Sequence, residues 1–431
     1  MFPTKAWFFQ QAWTLWQSTV AEINVSVHPA LRTMSTQCTV TRHPLSVAIR
    51  TKILGAFCLF VLGGILVAGL WPFHAPRNDV TWQGRTNGVL FGKHGTILSE
   101  GAFTTFGSGA DLSWTLEMWM QPNFHHREET FLSVYSPERP TLFRMYRFRK
   151  GIVLQGEEWG EHKRSTTAEA YIGDILREGG ASFITITSGM NGTTVYLDGV
   201  AFEQRPDFRL SAKSFNGQLV VGNSTIESDS WSGFFRGLAI YDHALTHADA
   251  SRHFMSWTRQ GRPDIHESDR NVALYLFDEH QGNVVHNRAN SGPNLTIPER
   301  YVILHEKFLD TPQDEFRADW GYLKNVLINV GGFVPLGFFF FAYWSATRQS
   351  KAVAIATVIL GFMVSLSIEV GQAYLPTRDS GVTDLITNTL GTYLGVALYV
   401  RQPSLIRWGL NRLISAVLPW LRPLRVVGPI T

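Results

Sequence analysis

The sequence predicts a multidomain protein that combines an all-β domain with a bundle of apolar helices. Short alternating segments, separated by turns rich in Gly, Asn and Asp, fill residues 81–300, as in antiparallel sheets. Long apolar runs lie outside this region, one before it and three after it. The 431 residues suffice for two or three domains, and a net charge of +3 gives no sign of a nucleic-acid partner.

The first apolar run predicts a membrane-spanning helix over residues 51–72. Arg50 and Lys52 precede its apolar part, so the positive-inside rule places the preceding arm, residues 1–50, in the cytoplasm. A cleaved signal peptide is the alternative, although the run is long for one. The arm itself is either an interfacial helix or sequence that lies upstream of a true start at Met34.

Two successive hairpins are predicted inside the β region. Residues 183–187 lead through the turn 190–192 to residues 193–197, and the Asp198-Gly199 turn leads on to residues 200–203. Further strands are predicted at residues 113–120, 218–221, 234–241 and 272–277. Regular short strands over this length favour a β-sandwich or jelly roll. The chain has two cysteines, both before the β region, so no disulfide can hold this domain together.

Four segments of the β region carry a recognisable order: WTLEMWMQP, FITITSGMNGTTVYLDGV, GQLVVGNS and WSGFFRGLAIYDHALT. This order resembles the laminin-G-like, concanavalin-A-like sandwich family. The resemblance implies a jelly-roll sandwich over residues 79–300 that binds carbohydrate or protein and, in some members, hydrolyses glycans. Hydrolysis requires two carboxylates across the scissile bond. Glu117 stands alone on its predicted strand, and the adjacent Asp278 and Glu279 would point to opposite faces of one, so binding without catalysis is favoured.

No metal or other cofactor is assigned from the sequence. The resemblance leaves calcium possible in the sandwich, with Asp198 and Asp242 as candidates, but Asp198 is better explained by the hairpin turn. His125, His126 and His162 lack the spacing of metal ligands and are predicted to be surface residues of the sandwich.

Three further spans are predicted after a polar connector at residues 301–322. These spans are residues 323–343, 352–375 and 382–400. With the first span they make four, and the basic loop at 345–351 and the basic tail at 401–431 lie in the cytoplasm by the positive-inside rule. The β domain is then extracytoplasmic. The tail keeps apolar residues at helical spacing beside arginines, which is typical of an interfacial amphipathic helix.

Polar side chains interrupt the later spans near their outer ends. They recur at spacings of three or four residues, so each set shares one helical face. Ionisable groups within a membrane are costly and mark candidate functional sites. With one arginine from the intervening turn, the predicted polar pocket contains Asn325, Asn329, Ser365, Glu369, Gln372, Arg378, Asp384 and Asn388.

Four motifs run through this part of the chain: N-x-x-x-N-x-x-G-F-x-P-L-G from Asn325, S-x-x-x-E-x-x-Q from Ser365, L-P-x-R-x-x-x-x-x-D from Leu375, and N-x-x-G-x-x-x-G from Asn388. Together they resemble the VanZ-like membrane protein family. The resemblance implies a three-helix membrane domain over residues 323–400 in a bacterial inner membrane. The positive-inside rule places both termini in the cytoplasm. The family takes its name from a protein that raises tolerance to the glycopeptide teicoplanin.

Two classes of function remain open from the sequence. In the first, the β domain binds an envelope glycan or protein and the polar residues hold the helices together. In the second, the membrane domain is an enzyme for a lipid-linked or amphiphilic substrate, or a glycopeptide-tolerance factor. Glu369 or Asp384 would then act as acid or base, and Arg378 would hold a phosphate or carboxylate. No catalytic residue is assigned, because no nucleophile dyad, metal-ligand cluster or phosphate loop is present.

Overall fold

A computed structural model describes most of the chain from residue 44 onward. The described residues are 44–84, 86–104, 112–123, 128–158, 167–266, 271–289, 291–305, 308–316, 318–346, 351–401 and 412. Most of the predicted arm, most of the basic loop and tail, and His125, His126 and His162 lie outside them. The chain divides into two compact units. The helical unit is Met1–Trp71, Phe308–Tyr374 and Asp379–Thr431, and the β unit is Pro72–Lys307 and Leu375–Arg378.

The described part of the β unit contains sixteen strands in two antiparallel sheets. The strands are β1 Val80–Trp82, β2 Val89–Phe91, β3 Ile97–Ala102, β4 Trp114–Asn123, β5 Glu128–Tyr135, β6 Phe143–Phe148, β7 Gly151–Glu157, β8 Thr167–Ile172, β9 Ser182–Gly189, β10 Gly192–Leu197, β11 Val200–Arg205, β12 Gln218–Val221, β13 Ser232–Tyr241, β14 Asn271–Tyr275, β15 Val284–Val285 and β16 Leu295–Thr296. One sheet has the order β1-β2-β13-β4-β9-β10-β11, with β14 also paired to β13. The other has the order β15-β16-β3-β12-β5-β6-β7-β8. The predicted sandwich is confirmed.

The two predicted hairpins form β9, β10 and β11. The turn between β10 and β11 places Asp198 at φ 51° and Gly199 at φ 75°. Positive φ at both positions gives the twist that a two-residue hairpin needs, and Asp and Gly adopt it at low cost. The Asp198 carboxylate also accepts a hydrogen bond from the Phe183 backbone N–H, 3.0 Å away. Local turn chemistry therefore accounts for Asp198.

Alternation along the strands divides the buried residues between two cores. Side chains from both sheets fill the main core, whose largest fully buried members include Trp114, Trp231, Phe131, Phe143 and Phe215. On β13, Leu238 and Ile240 belong to this core, whereas Ala239 and Tyr241 face a smaller one. The smaller core lies against helix α2, His247–Gln260, through Trp257. The first sheet is therefore covered on both faces in this region.

The helical unit consists of α1 Pro44–Leu70, the short α3 Pro312–Glu315, α4 Trp320–Ser345, α5 Lys351–Gln372 and α6 Val382–Arg401. Three stretches among the described residues are long and apolar enough to cross a membrane: Thr51–Leu70, Trp320–Ser345 and Lys351–Gln372. The prediction of four such spans is wrong for the last one. Residues 382–401 form a helix, but this helix is too polar to count as a candidate membrane span. Its polar residues include Asp384, Asn388 and four threonines.

Glycine brings α4 and α6 into close contact. A Cβ atom at Gly391 would overlap the Val330 carbonyl oxygen, and one at Gly395 would overlap that of Val334. These pairs advance together along the two helices, so α4 and α6 run parallel. In contrast, Asn388 of α6 bonds to Ser365 of α5 while Gly381, just before α6, bonds to Glu369, so those two helices are antiparallel.

Candidate functional site

The start of α6 is the polar centre of the helical unit. The first N–H groups of an α-helix lack partners within the helix and need acceptors from elsewhere. Here the Gly381 N–H donates to Glu369 Oε2 at 2.9 Å, the Val382 N–H to the Asp310 carbonyl at 3.1 Å, and the Thr383 N–H to Glu315 Oε2 at 3.1 Å. Two carboxylates thus lie at the positive end of a helix, where negative charge is favourable.

A strap from the connector supplies two of these acceptors. Residues 308–316 cross the turn before α6, where the Asp310 N–H donates to the Ser380 carbonyl at 2.9 Å. The Glu315 carboxylate lies directly over Gly381, and a Cβ atom at that position would overlap it. Sequence reasoning missed Glu315, because it lies in a polar connector and its partner is 68 residues away. A side chain at position 381 would therefore displace the Glu315 carboxylate from the start of α6.

Two further contacts join the predicted polar residues across helix interfaces. Asn329 Nδ2 of α4 donates to Asp384 Oδ1 of α6 at 2.7 Å. One turn deeper, Asn388 Nδ2 donates to the hydroxyl oxygen of Ser365 on α5 at 3.0 Å, and both side chains are buried. These contacts link α6 to both of its neighbours.

The remaining predicted residues lie in different surroundings. Gln372 Nε2 donates to the Gly69 carbonyl at 2.9 Å, which joins the ends of α5 and α1. Asn325 is exposed near the start of α4. Arg378 is exposed on the turn of residues 375–378, which groups with the β unit. The structure therefore brings together Asn329, Ser365, Glu369, Asp384 and Asn388 and adds Glu315 to them.

This arrangement favours a structural task for Glu369. Its side chain is 1% exposed, and its Oε2 accepts the Gly381 N–H. A general acid or base must reach the proton that it transfers. Glu369 instead holds the end of α5 against the start of α6.

Burial raises the pKa of Glu315 above its usual value of 4.5, and the neighbouring Asp384 and Asp310 carboxylates add to the increase. An acid with a raised folded-state pKa binds its proton more tightly when folded. Its contribution to stability is therefore fully present below about pH 4.5 and is lost as the pH rises through the higher folded-state pKa.

We expect Glu315→Gln to flatten the pH dependence of stability of the full chain in detergent. The amide oxygen can still accept the Thr383 N–H, but the side chain no longer titrates. Thermal unfolding between pH 4.5 and 7 should show a smaller loss of stability for the variant than for the wild type. Glu178→Gln, which alters an exposed carboxylate of the β unit, is the control. Equal slopes for Glu315→Gln and wild type would contradict the assignment.

In the β unit, Glu117 lies on the helix-covered face of β4 and is sealed from solvent. Its Oε2 accepts the Tyr241 hydroxyl at 2.9 Å, and its Oε1 lies 3.1 Å from His253 Nδ1 on α2. Glu117 and His253 are both 0% exposed. A carboxylate in this position holds α2 onto the sheet and cannot reach a polysaccharide.

The expectation for Asp278 and Glu279 is corrected. Strand β14 ends at Tyr275, and Phe277 adopts a φ of 50°, so the two acids lie in a loop and not on opposite faces of a strand. Asp278 Oδ1 lies 2.7 Å from Arg288 Nη2, and Glu279 Oε1 lies 3.9 Å from the same nitrogen. They form a surface ion pair with one arginine.

The calcium candidates do not come together as a ligand set. The Asp198 carboxylate serves its turn, and Asp242 lies 3.7 Å from His243 Nδ1. Within the described ranges, no group of three or more His, Cys, Asp or Glu side chains could hold a metal ion.

Solved structures with a similar fold cover about half of the chain. A native heptameric SAP-like pentraxin from Limulus polyphemus is 14% identical, with a TM-score of 0.30 over 53% of this chain and 95% of its own. A putative carbohydrate-binding protein from Bacteroides ovatus is 9% identical, with a TM-score of 0.34 over 54% and 62%. The ligand-binding domain of botulinum neurotoxin serotype D in complex with N-acetylneuraminic acid is 12% identical, with a TM-score of 0.30 over 52% and 73%. None of the curated proteins matches the chain.

Two family models match separate parts of the sequence. Residues 97–251 match the concanavalin A-like lectin/glucanases superfamily, and residues 272–407 match VanZ/LLP1. The second match begins in the β unit, at β14, and runs through α3 to α6. Both resemblances seen in the motifs are confirmed: the chain joins a concanavalin A-like domain to a VanZ-like segment.

Proposed function

We propose that the protein is a membrane-anchored carbohydrate-binding protein of a bacterial cell envelope. The helical unit lies in the inner membrane, and the β unit binds an envelope glycan on the extracytoplasmic side. The observation that carries the proposal is the sealed carboxylate of Glu117 in a domain that matches the lectin/glucanase superfamily. Among the described residues, Glu117 is sealed under α2 and Asp278 and Glu279 are engaged by Arg288, which suits binding rather than hydrolysis.

The surface of the helical unit supports a membrane location. On α1, the large apolar side chains Leu59, Phe60 and Val67 are 70%, 78% and 54% exposed. The exposed side of α6 is apolar as well, with Ile386, Leu390, Leu394 and Leu398 at four-residue intervals. A soluble protein rarely leaves so much contiguous apolar surface uncovered. Lipid would cover this surface.

The two ends of the helices carry different exposed residues, aromatic at one end and basic at the other. Exposed Trp71, Trp320 and Tyr374 lie where α1 ends, α4 begins and α5 ends, as in an interfacial aromatic belt. Exposed Lys52 and Lys351 lie towards the opposite ends of α1 and α5. The positive-inside rule places that basic end in the cytoplasm. Residues 72–307 are inserted at the aromatic end and are therefore extracytoplasmic.

Binding of the full chain in detergent to an array of envelope polysaccharides and glycans tests the proposal. We expect saturable binding without release of shorter products. Glu117→Gln should leave binding unchanged, because this residue is sealed under α2 and its amide oxygen can still accept the Tyr241 hydroxyl. Binding to no glycan, or cleavage that Glu117→Gln abolishes, would contradict the proposal.

The enzyme alternative has a separate test in the helical unit. Glu369→Gln keeps an oxygen that can accept the Gly381 N–H, so a structural residue should tolerate the change. An inserted, folded variant that loses a cellular phenotype of the wild-type protein would favour a membrane-embedded enzyme.

A further inference from the structure

The β unit carries an open cleft at the ends of three central strands of its second sheet. Strands β3, β12 and β5 are neighbours there, and Gln218 at the start of β12 pairs with Ala102 on one side and Tyr135 on the other. Because both strands are antiparallel to β12, the C-terminal ends of β3 and β5 lie on the two sides of the start of β12. The cleft between them holds about 360 Å³, within the roughly 300–1,000 Å³ of small-ligand sites.

The lining of the cleft is amphipathic. The half-buried Tyr135 ring contributes apolar surface, and the buried Phe103 lies beneath the floor of the cleft. Within the part of the chain that the structure describes, the Tyr135 hydroxyl makes no hydrogen bond. Thr104, Ser136 and Asn216 add hydroxyl and amide groups around these rings. An apolar face surrounded by neutral donors and acceptors matches a sugar ring, which has C–H faces and hydroxyl edges.

Among the described residues that line this cleft, Glu138 is the one whose side chain is charged at neutral pH. It is exposed, and the hydrogen bond that it accepts from the Ser136 hydroxyl lowers its pKa, so it stays ionised at neutral pH. The adjacent Arg139 does not line the cleft and lies 2.8 Å from the Glu157 carboxylate. The described lining therefore carries one negative charge, which attracts hydroxyl donors and repels anions, although the nearby Arg139 charge, which helps to lower the pKa of Glu138, offsets part of that repulsion.

We infer that this cleft is the glycan site of the β unit and that it takes neutral hexose units in preference to uronates. The inference rests on the proposed carbohydrate-binding function and adds the location and the charge class of the ligand. The Glu138 carboxylate accepts hydrogen bonds from sugar hydroxyls, and the Tyr135 ring packs against the sugar face.

Calorimetric titration of the full chain in detergent tests this site with three probes: maltohexaose, cellohexaose and hexagalacturonate. We expect at least one neutral hexaose to bind more tightly than hexagalacturonate. Glu138→Ala should weaken that binding about tenfold, because it removes charge-assisted hydrogen bonds. Tyr135→Phe, which removes only the hydroxyl that lacks a partner, should weaken it severalfold. Glu178→Ala, at an exposed carboxylate that does not line the cleft, should leave it unchanged.

The outcomes separate this inference from the proposed function. Neutral-hexaose binding that both cleft variants retain in full would overturn the location of the site and leave carbohydrate binding intact. Tighter binding of hexagalacturonate would overturn the charge class. Failure of the wild-type chain to bind any of the three probes would overturn the inference, and failure on the polysaccharide array as well would overturn the proposed function.

Discussion

Replacing Arg147 by methionine is expected to lower the free energy of unfolding of the β unit by about 3–5 kcal/mol. Arg147 Nε donates to Glu129 Oε2 at 3.1 Å, and the two side chains are 4% and 0% exposed. Removal of the arginine leaves the Glu129 charge buried without its cation. Denaturant titration of the full chain in detergent, followed by tryptophan fluorescence to which the core residues Trp114 and Trp231 contribute, measures the loss.

The chain offers a matched control for this change. Arg139 and Glu157 form an ion pair of 2.8 Å, but the arginine side chain is 45% exposed. Exposed pairs contribute about 0–1 kcal/mol, so Arg139→Met should be nearly neutral. The double variant Glu129→Leu/Arg147→Met should recover much of the loss, because the buried carboxylate is removed together with the arginine. A single Arg147→Met variant as stable as Arg139→Met would contradict the assignment.

Gly395→Ala is expected to destabilise the helical unit by about 1–3 kcal/mol through overpacking. The added Cβ atom would meet backbone atoms of α4, the Val334 oxygen and the Phe338 nitrogen, which cannot move aside as a flexible side chain can. The backbones of α4 and α6 would have to move apart around this position. Thermal unfolding of the purified chain in detergent measures the change.

Gly331→Ala is the control on α4 itself. No atom lies within 4 Å of a Cβ built at Gly331, so alanine adds helix propensity without a clash. Its effect should be neutral or stabilising by up to about 1 kcal/mol. Similar losses in the two variants would show that helix propensity, and not the close approach of α4 and α6, governs these positions.

Elements with local signals could be predicted from the sequence. The Asp198-Gly199 turn and the flanking alternation define the hairpin of β10 and β11, and strand β12 begins and ends at the predicted residues. The apolar runs predict helices close to α1, α4, α5 and α6. Local signals fail where backbone geometry changes abruptly. The positive φ of Phe277 ends any extended run before Asp278 and Glu279, and no residue type there announces it.

The polar contacts of the helical unit were less predictable. Helical spacing places Asn325 and Asn329 on one face of α4, but only Asn329 lies deep enough to reach Asp384, and Asn325 is exposed. Glu315 resembles any other acid in a polar connector. Its importance arises from the strap, which forms only when residues far apart in sequence meet at Gly381. The spacing of residues along one helix does not predict such a long-range contact.

The acceptors that cap the start of α6 all come from earlier parts of the chain, which matters during biosynthesis. Asp310, Glu315 and Glu369 all precede Gly381 in the chain, so the ribosome delivers them before the helix that they cap. Glu315 and Glu369 therefore have no N–H partners until Gly381 and Thr383 have been synthesised. We expect α6 to complete the packing of α3 and α5 as it is inserted, because its first N–H groups supply those partners.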